Sequence, residues 1–153
     1  MVKTEFAVIG GSYAGLSAAL QLARARREVT VVDAGLRRNR FVDKAGGTSH
    51  GFLSRDGVAP GAIAAEARRQ LLRYPTVRWL DGLAEEASQR EDGRFGFRVG
   101  GESVDAARLV LATGVRDELP PVSGLAERWG QSIFHCPYCH GYELEAGPIG
   151  IIA

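Results

Sequence analysis

Residues 5–9, Glu-Phe-Ala-Val-Ile, form a short apolar run that stops at Gly10-Gly11, the pattern of a buried strand meeting a tight turn. Leu16, Ala19, Leu20 and Ala23 then recur at helical spacing, which predicts a helix over residues 13–27. A second buried strand is expected over residues 29–32, ending at Asp33. Together these make one strand-helix-strand unit of about 30 residues, the length of a parallel crossover.

From residue 35 to 60 the pattern lapses into Arg, Asn, Gly and Ser, with turn signals at Gly46-Gly47 and Asp56-Gly57. A helix is expected over residues 62–73 (Ile63, Ala67, Leu71), stopping before Pro75, and a third strand over residues 77–80. Residues 84–106 carry short extended pieces broken at Asp92-Gly93 and Gly100-Gly101, with Phe95, Phe97 and Val99 alternating on one face, a small antiparallel meander. Residues 108–112 return as a separate apolar strand closed by Thr113-Gly114, and Pro120-Pro121 marks the exit from a first domain. The last residues, 147–153, are expected to open the strand of a second unit. An uncovered apolar strand at a terminus is a liability, so the polypeptide is expected to continue. The reading is an α/β, Rossmann-like three-layer nucleotide-binding domain over residues 1–118. Residues 119–153 hold a linker, a Cys-x-x-Cys motif and the first strand of an incomplete second nucleotide-binding domain.

Composition narrows the function classes. The 153 residues are 45% apolar and 24% charged, enough for a real core without disulfide staples, so the two cysteines need another explanation. A net charge of +1 leaves no global footprint for nucleic acid or an anionic membrane. No stretch reaches the roughly 18 consecutive apolar residues of a membrane span, and residues 1–10 lack the pattern of a signal peptide. The expected compartment is the cytoplasm, where a lone Cys pair is more often redox-active, catalytic or metal-binding than structural.

Gly10-Gly11-Ser12-Tyr13-Ala14-Gly15 sits between the first strand and the first helix, the context in which a Gly-rich turn binds a dinucleotide. Gly10 permits the tight turn, Gly15 permits close helix-strand packing, and the helix N-terminus offers N–H groups to a pyrophosphate. Asp33 follows 18 residues after Gly15, placed to accept hydrogen bonds from an adenosine ribose. The fingerprint's second glycine is Ser12 here, and Gly11 beside it is the position expected to allow the backbone approach. Of the arginines that follow, Arg24, Arg26 and Arg27 read as a solvated helix end, whereas Asn39 and Arg40 are further cofactor candidates.

Cys136 and Cys139 stand near an expected helix start, where one thiolate attacks and the other resolves. Three readings compete. A redox dithiol fits a chain with a dinucleotide site. A zinc site would recruit His135 and His140, but ligands adjacent on both flanks are unusual and no second ligand pair exists. Cys136-x-x-Cys139-His140 also matches the c-type haem string, which the absence of an export signal and of any Met beyond Met1 disfavours. No metal is expected. His140, with His135, is placed to move protons, and His50 lies in the irregular loop as either a cofactor neighbour or an ordinary loop histidine.

The ordered set Val8-Ile9-Gly10-Gly11-Ser12-Tyr13-Ala14-Gly15-Leu16, Val31-Val32-Asp33, Leu111-Ala112-Thr113-Gly114 and Cys136-Pro137-Tyr138-Cys139-His140-Gly141 resembles the N-terminal half of a thioredoxin-reductase-like flavoprotein. These are FAD- and NAD(P)H-dependent pyridine nucleotide-disulfide oxidoreductases, and within them the chain is most similar to a bacterial branch related to dithiol oxidases. The resemblance implies an FAD-binding domain interrupted by an NADPH-binding domain. Gly10 to Gly15 and Asp33 would hold FAD, with Ala34, His50 and Ala84 as further cofactor positions, and Ala112, Thr113 and Gly114 would pass beneath it. Cys139 would face the flavin while Cys136 exchanges with substrate. The resemblance implies a thioredoxin-like protein or a small dithiol or disulfide as substrate; thioredoxin reductases carry Asp after the second Cys, and His140 replaces it here, a departure that argues against thioredoxin itself. The resemblance further implies a homodimer at full length, an NADPH site lying outside these residues, and a chain that is inactive alone. The competing class is a non-catalytic nucleotide-binding module whose Cys pair is structural or zinc-binding.

Overall fold

The computed structural model describes residues 1–38, 46–144 and 147–152. The chain folds as β1 (Val2–Ile9), α1 (Tyr13–Arg24), β2 (Val29–Asp33), α2 (Pro60–Leu71), β3 (Val77–Asp81), β4 (Ala84–Gln89), β5 (Phe95–Val99), β6 (Glu102–Leu111), α3 (Leu125–Arg128) and α4 (Pro137–His140). The strands form one sheet in the order β3-β2-β1-β6-β5-β4. β1 is parallel to β2 and β6, and β2 is parallel to β3, whereas the β4-β5 and β5-β6 pairs are antiparallel.

Alternation along the central strands sorts the core into two faces. Val8, Val29 and Val31 point to the helices, where they meet Leu16, Ala19 and Ala23 of α1 and Leu71 of α2. Val2, Ala7 and Val32 point to the opposite face and pack with Phe97, Val99, Val104 and Ala106. The meander therefore closes over the bare face of the parallel strands, giving three layers of helix, sheet and meander. A helical face built from Gly15, Ala19 and Ala23 lets α1 approach the strands closely. Tyr13 at its start donates its hydroxyl to the Pro60 carbonyl at 3.0 Å, tying the two helices together.

Several expectations are adjusted. The meander and the returning apolar strand are not separate: β6 is one strand that pairs with β5 over residues 102–106 and with β1 over residues 104–111. Its N-terminal part builds the meander and its C-terminal part builds the parallel sheet. α1 stops at Arg24 rather than residue 27 because Arg26 takes a left-handed conformation. Arg26 N–H then bonds to Ala23 and Arg27 N–H to Leu22, the paired bonds of a Schellman ending. α2 begins at Pro60, whose fixed φ suits the first helical position, two residues before the expected start. The expected strand over residues 147–153 is not formed in 147–152, which are exposed and make no strand pairing; residue 153 lies outside the described residues. A strand needs a neighbour to satisfy its backbone, and none of the described residues lies beside it.

Candidate functional site

The parallel strands β1, β2, β3 and β6 all end on one edge of the sheet, the edge where open α/β folds place ligands. Ile9, the last residue of β1, is paired with Val32 on one side and Leu111 on the other. Backbone bonds continue the ladder beyond the strands: Gly10 N–H to Val32 O at 2.8 Å, Ala112 N–H to Ile9 O at 2.8 Å, and Gly82 N–H to Asp33 O at 2.9 Å. The Gly-rich turn, Asp33 and residues 112–114 are thus brought to one edge, as the sequence predicts.

Gly10 has φ +111°, where an L side chain is strained, and a Cβ there would overlap the Ala112 carbonyl oxygen. A Cβ on Gly15 would overlap the Gly10 carbonyl oxygen, so the helix enters flush against the turn. Ser12, at the position of the fingerprint's missing glycine, has φ −100° and ψ −164°, extended backbone that serine adopts freely. The departure from the fingerprint therefore costs nothing in the backbone. Ser12 makes no side-chain cap, and the first turn of α1 carries no acid. That leaves the positive end of a full-length helix without a local anion, which fits a phosphate-bearing group. Ala14 and Ala34 are exposed beside this turn and beside Asp33.

Gly11 also has a packing role. Its missing side chain is replaced by the indole of Trp79, which lies against it next to Asp33. Trp79 donates Nε1–H to Asp81 at 2.9 Å and carries the Arg68 guanidinium 4.1 Å above its ring. Ala84, at the start of β4, is half-buried in the meander-side core with Ile9 and Leu80. Asn39 and Arg40 lie outside the described residues.

The Cys pair occupies the single turn α4. Cys136 is its N-cap, Pro137 its first helical residue, and the Cys136 sulfur accepts the Cys139 backbone N–H at 3.2 Å. Both thiols are free, with Cys139 exposed and Cys136 less so. Three donors converge on Cys136, the Cys139 thiol, the Cys139 backbone N–H and the Tyr138 backbone N–H, and these pull the Cys136 thiol below its ordinary range, with a smaller pull from Arg38. The Cys136 sulfur in turn pushes the Cys139 thiol up. The backbone donor falls on Cys136, so of the two sulfurs it is Cys136 whose thiolate is favoured.

His140 closes α4 with its ring stacked on Phe134, centroids 4.1 Å apart, and its Nδ1 is buried with no hydrogen-bond partner among the described residues. His135 lies against Trp129 and Arg38 instead. His50 turns toward the chain beyond the Cys pair: its Nε2 lies 2.8 Å from Thr48 Oγ1 and 3.7 Å from Glu143 Oε1, while Nδ1 lies 3.5 Å from Asp56. Among the described residues no group of three His, Cys, Asp or Glu is arranged to hold a metal ion. No described helix is long and apolar enough to cross a membrane.

A Gly-rich turn under a helix N-terminus, with a Cys-x-x-Cys turn downstream in the same chain, is matched as a whole by a family model described as pyridine nucleotide-disulphide oxidoreductase, over residues 4–152. The chain belongs to this family. Thioredoxin reductase tcpT of Claviceps purpurea (strain 20.1) is 39% identical over 150 residues, covering 95% of this chain and 45% of that protein. The crystal structure of an oxidoreductase from Agrobacterium tumefaciens superimposes with a TM-score of 0.86 at 57% identity, covering 94% of this chain and 48% of that one. A putative thioredoxin reductase TrxB from Bacillus anthracis gives 0.89 at 34% identity, covering 95% of this chain and 48% of that one. The chain spans about half the length of the relatives it matches, 45% in the case of tcpT.

Within this pyridine nucleotide-disulphide oxidoreductase fold, sequence reasoning missed Trp79, Arg38, Asp117 and Trp129. Trp79 carries a usable signal, a large aromatic one strand away from a glycine pair. Arg38 and Asp117 carry none, because they are 79 residues apart and meet only in space.

Proposed function

We propose that this chain supplies the FAD-binding and dithiol half of a thioredoxin-reductase-like enzyme, in which electrons pass between NADPH, FAD, the Cys136/Cys139 pair and a thiol substrate. The observation that carries the reading is the Cys-x-x-Cys turn α4, where both thiols are free and the Cys136 sulfur accepts the Cys139 backbone N–H at 3.2 Å. The residues at the sheet edge suit FAD: an uncapped α1 N-terminus for the pyrophosphate, and Asp33 for the ribose. Bound there, FAD supplies two-electron exchange between a nicotinamide and the sulfur pair.

The chain's own chemistry is thiol-disulfide exchange. The Cys136 thiolate attacks one sulfur of a substrate disulfide, that S–S bond breaks, and one substrate thiolate leaves and takes a proton. Cys139 then gives up its proton and attacks the Cys136 sulfur, so the second substrate thiolate leaves and a Cys136–Cys139 disulfide forms. Two electrons have moved from the protein dithiol to the substrate. His140 is the residue we assign to carrying these protons. Run backwards, the same steps oxidise a substrate dithiol. The substrate is a thioredoxin-like protein or a small dithiol or disulfide, met by Cys136 at the α4 turn that exposes Tyr138. At full length the expected assembly is a homodimer in the cytoplasm.

The test is visible absorbance of the purified protein after FAD is added, before and after a dithiol. A bound-flavin spectrum that bleaches with dithiol, and stays oxidised in Cys139→Ser while flavin remains bound, is the expected result. A folded full-length protein that stays colourless, or that carries stoichiometric zinc with both thiols unreactive, would overturn the assignment in favour of a non-catalytic module.

A further inference from the structure

Arg38 follows β2 by only a few residues, yet its guanidinium serves the far end of the chain. Its Nε donates to Asp117 Oδ2 at 2.8 Å and its Nη2 to Asp117 Oδ1 at 2.5 Å, a two-pronged pairing that fixes the plane of the guanidinium. Trp129 adds an indole N–H to the same carboxylate, at 3.3 Å from Oδ2. Asp117 holds both donors at once, and its carboxyl lies below the usual range, chiefly through the Arg38 bonds. Arg38 Nη2 also lies 3.3 Å from Nδ1 and 3.2 Å from Nε2 of His135. A donor aimed at one ring nitrogen would sit much farther from the other, so this near-equal spacing means the cation rests against the ring rather than on a lone pair. His135 directly precedes Cys136, and its ring is further bracketed by Trp129 at 5.9 Å.

Three segments distant in sequence meet in this clasp: the loop after β2, the segment after β6, and the approach to α4. We propose that Arg38 is a positioning residue of the dithiol site, clamped by Asp117 so that its charge holds the His135–Cys136 segment at the sheet edge and favours the Cys136 thiolate. The clasp gives the nucleotide side of the fold a rigid handle on the sulfur pair, because Arg38 belongs to the loop that Asp33 begins. The charged and titratable groups facing Cys136 among the described residues are Arg38 from the β2 loop, Asp117 behind it, His135 before it, and Cys139 and His140 on α4; Tyr138 adds a backbone N–H. Arg38 is the fixed cation in that set.

This inference rests on reading the pair as a redox dithiol. Its test is independent of that reading, because alkylation needs neither flavin nor a thiol substrate. The rate of iodoacetamide labelling of Cys136 in the reduced protein is followed by peptide mapping across pH. In Arg38→Met the midpoint of the pH profile should rise by about half a unit to one unit, with labelling at pH 7 slowed ~3- to 10-fold and the high-pH plateau unchanged. Arg38→Lys should recover part of the shift. A merely structural role would move the plateau, which reports access, and leave the midpoint in place. Asp117→Asn separates clamping from simple charge: removing an anion near the sulfur should by itself lower the midpoint, whereas unclamping Arg38 raises it. A midpoint unmoved in Arg38→Met, or lowered in Asp117→Asn, overturns the proposal. If Arg38→Met does not fold, the direction of the Asp117→Asn shift decides alone.

Discussion

The indole of Trp79 fills the space that a side chain at Gly11 would need: a Cβ there would stand 2.6 Å from Trp79 Cζ2 and 2.7 Å from Asp33 Cβ. β3, β2 and the β1-α1 turn are therefore keyed together at the point where the nucleotide edge begins. Gly11→Ala should destabilise the fold by about 1–3 kcal/mol, the usual range for overpacking a filled site. Replacing Trp79 by Leu in that background should return part of the loss. Denaturant unfolding of the two single variants and the double variant measures the coupling, and simple additivity would show that the two residues do not share the space.

Asp33 ends β2 half-buried, with its carboxylate accepting the Gly35 N–H at 3.2 Å and its backbone carbonyl bonded to Gly82. The side chain keeps acceptor capacity while the main chain is fixed. If it holds a ribose, Asp33→Asn should weaken FAD binding roughly 10- to 100-fold, the loss of about 1.5–3 kcal/mol typical of a charge-assisted hydrogen bond. Fluorescence titration would show it. An unchanged affinity would remove Asp33 from the cofactor site.

Accessibility and acidity make opposite forecasts for the two thiols. Cys139 is the more exposed, so access alone favours its alkylation, but the Cys136 thiol is lowered by its donors and the Cys139 thiol is raised. At a given pH Cys136 should carry the larger thiolate fraction, and the thiolate is the reactive species. Brief labelling at pH 7 followed by peptide mapping should find the label on Cys136 first. The preference should shrink as pH rises and Cys139 ionises as well.

Asp105 is a buried acid on β6, 5% exposed, and receives Arg94 Nε at 2.6 Å with Arg90 3.7 Å away. Arg94 and then Arg90 hold its carboxyl below the ordinary aspartate range. A carboxyl lowered by folding contributes stability that is fully present above its unfolded value of about 3.9 and is lost as pH falls through the folded value. Asp105→Asn should therefore lower the melting temperature at pH 7, and the gap to the parent protein should close at acid pH. A gap that stays constant down to about pH 2 would show that Asp105 acts through shape alone.

Much of the nucleotide edge is readable from the chain because its signals are local. The run before Gly10, the helical spacing of Leu16, Ala19 and Ala23, and the acid at Asp33 are each set by neighbours within a turn or a strand. The glycine at Gly10 is likewise demanded by one backbone angle. The packing role of Gly11 was not readable in this way. The residue that needs its missing side chain lies on another strand.

The parallel pairing of β1 and β2 followed from the crossover reading, but the strand order and the merging of meander and parallel sheet in β6 did not. A ten-residue strand that changes partners halfway looks, in sequence, like two strands. The Cys pair stood out by spacing alone, and so did its place at a helix start. What spacing leaves undecided is which sulfur attacks. The backbone N–H of Cys139 falls on the Cys136 sulfur, and the cation at Arg38, held by Asp117, lies against His135 beside it. Local periodicity therefore determined the fold class, the nucleotide turn and the dithiol. Only the tertiary structure could bring together the clasp of Arg38, Asp117, Trp129 and His135 beside that pair, because electrostatic attraction acts through distance in space and carries no trace in sequence separation.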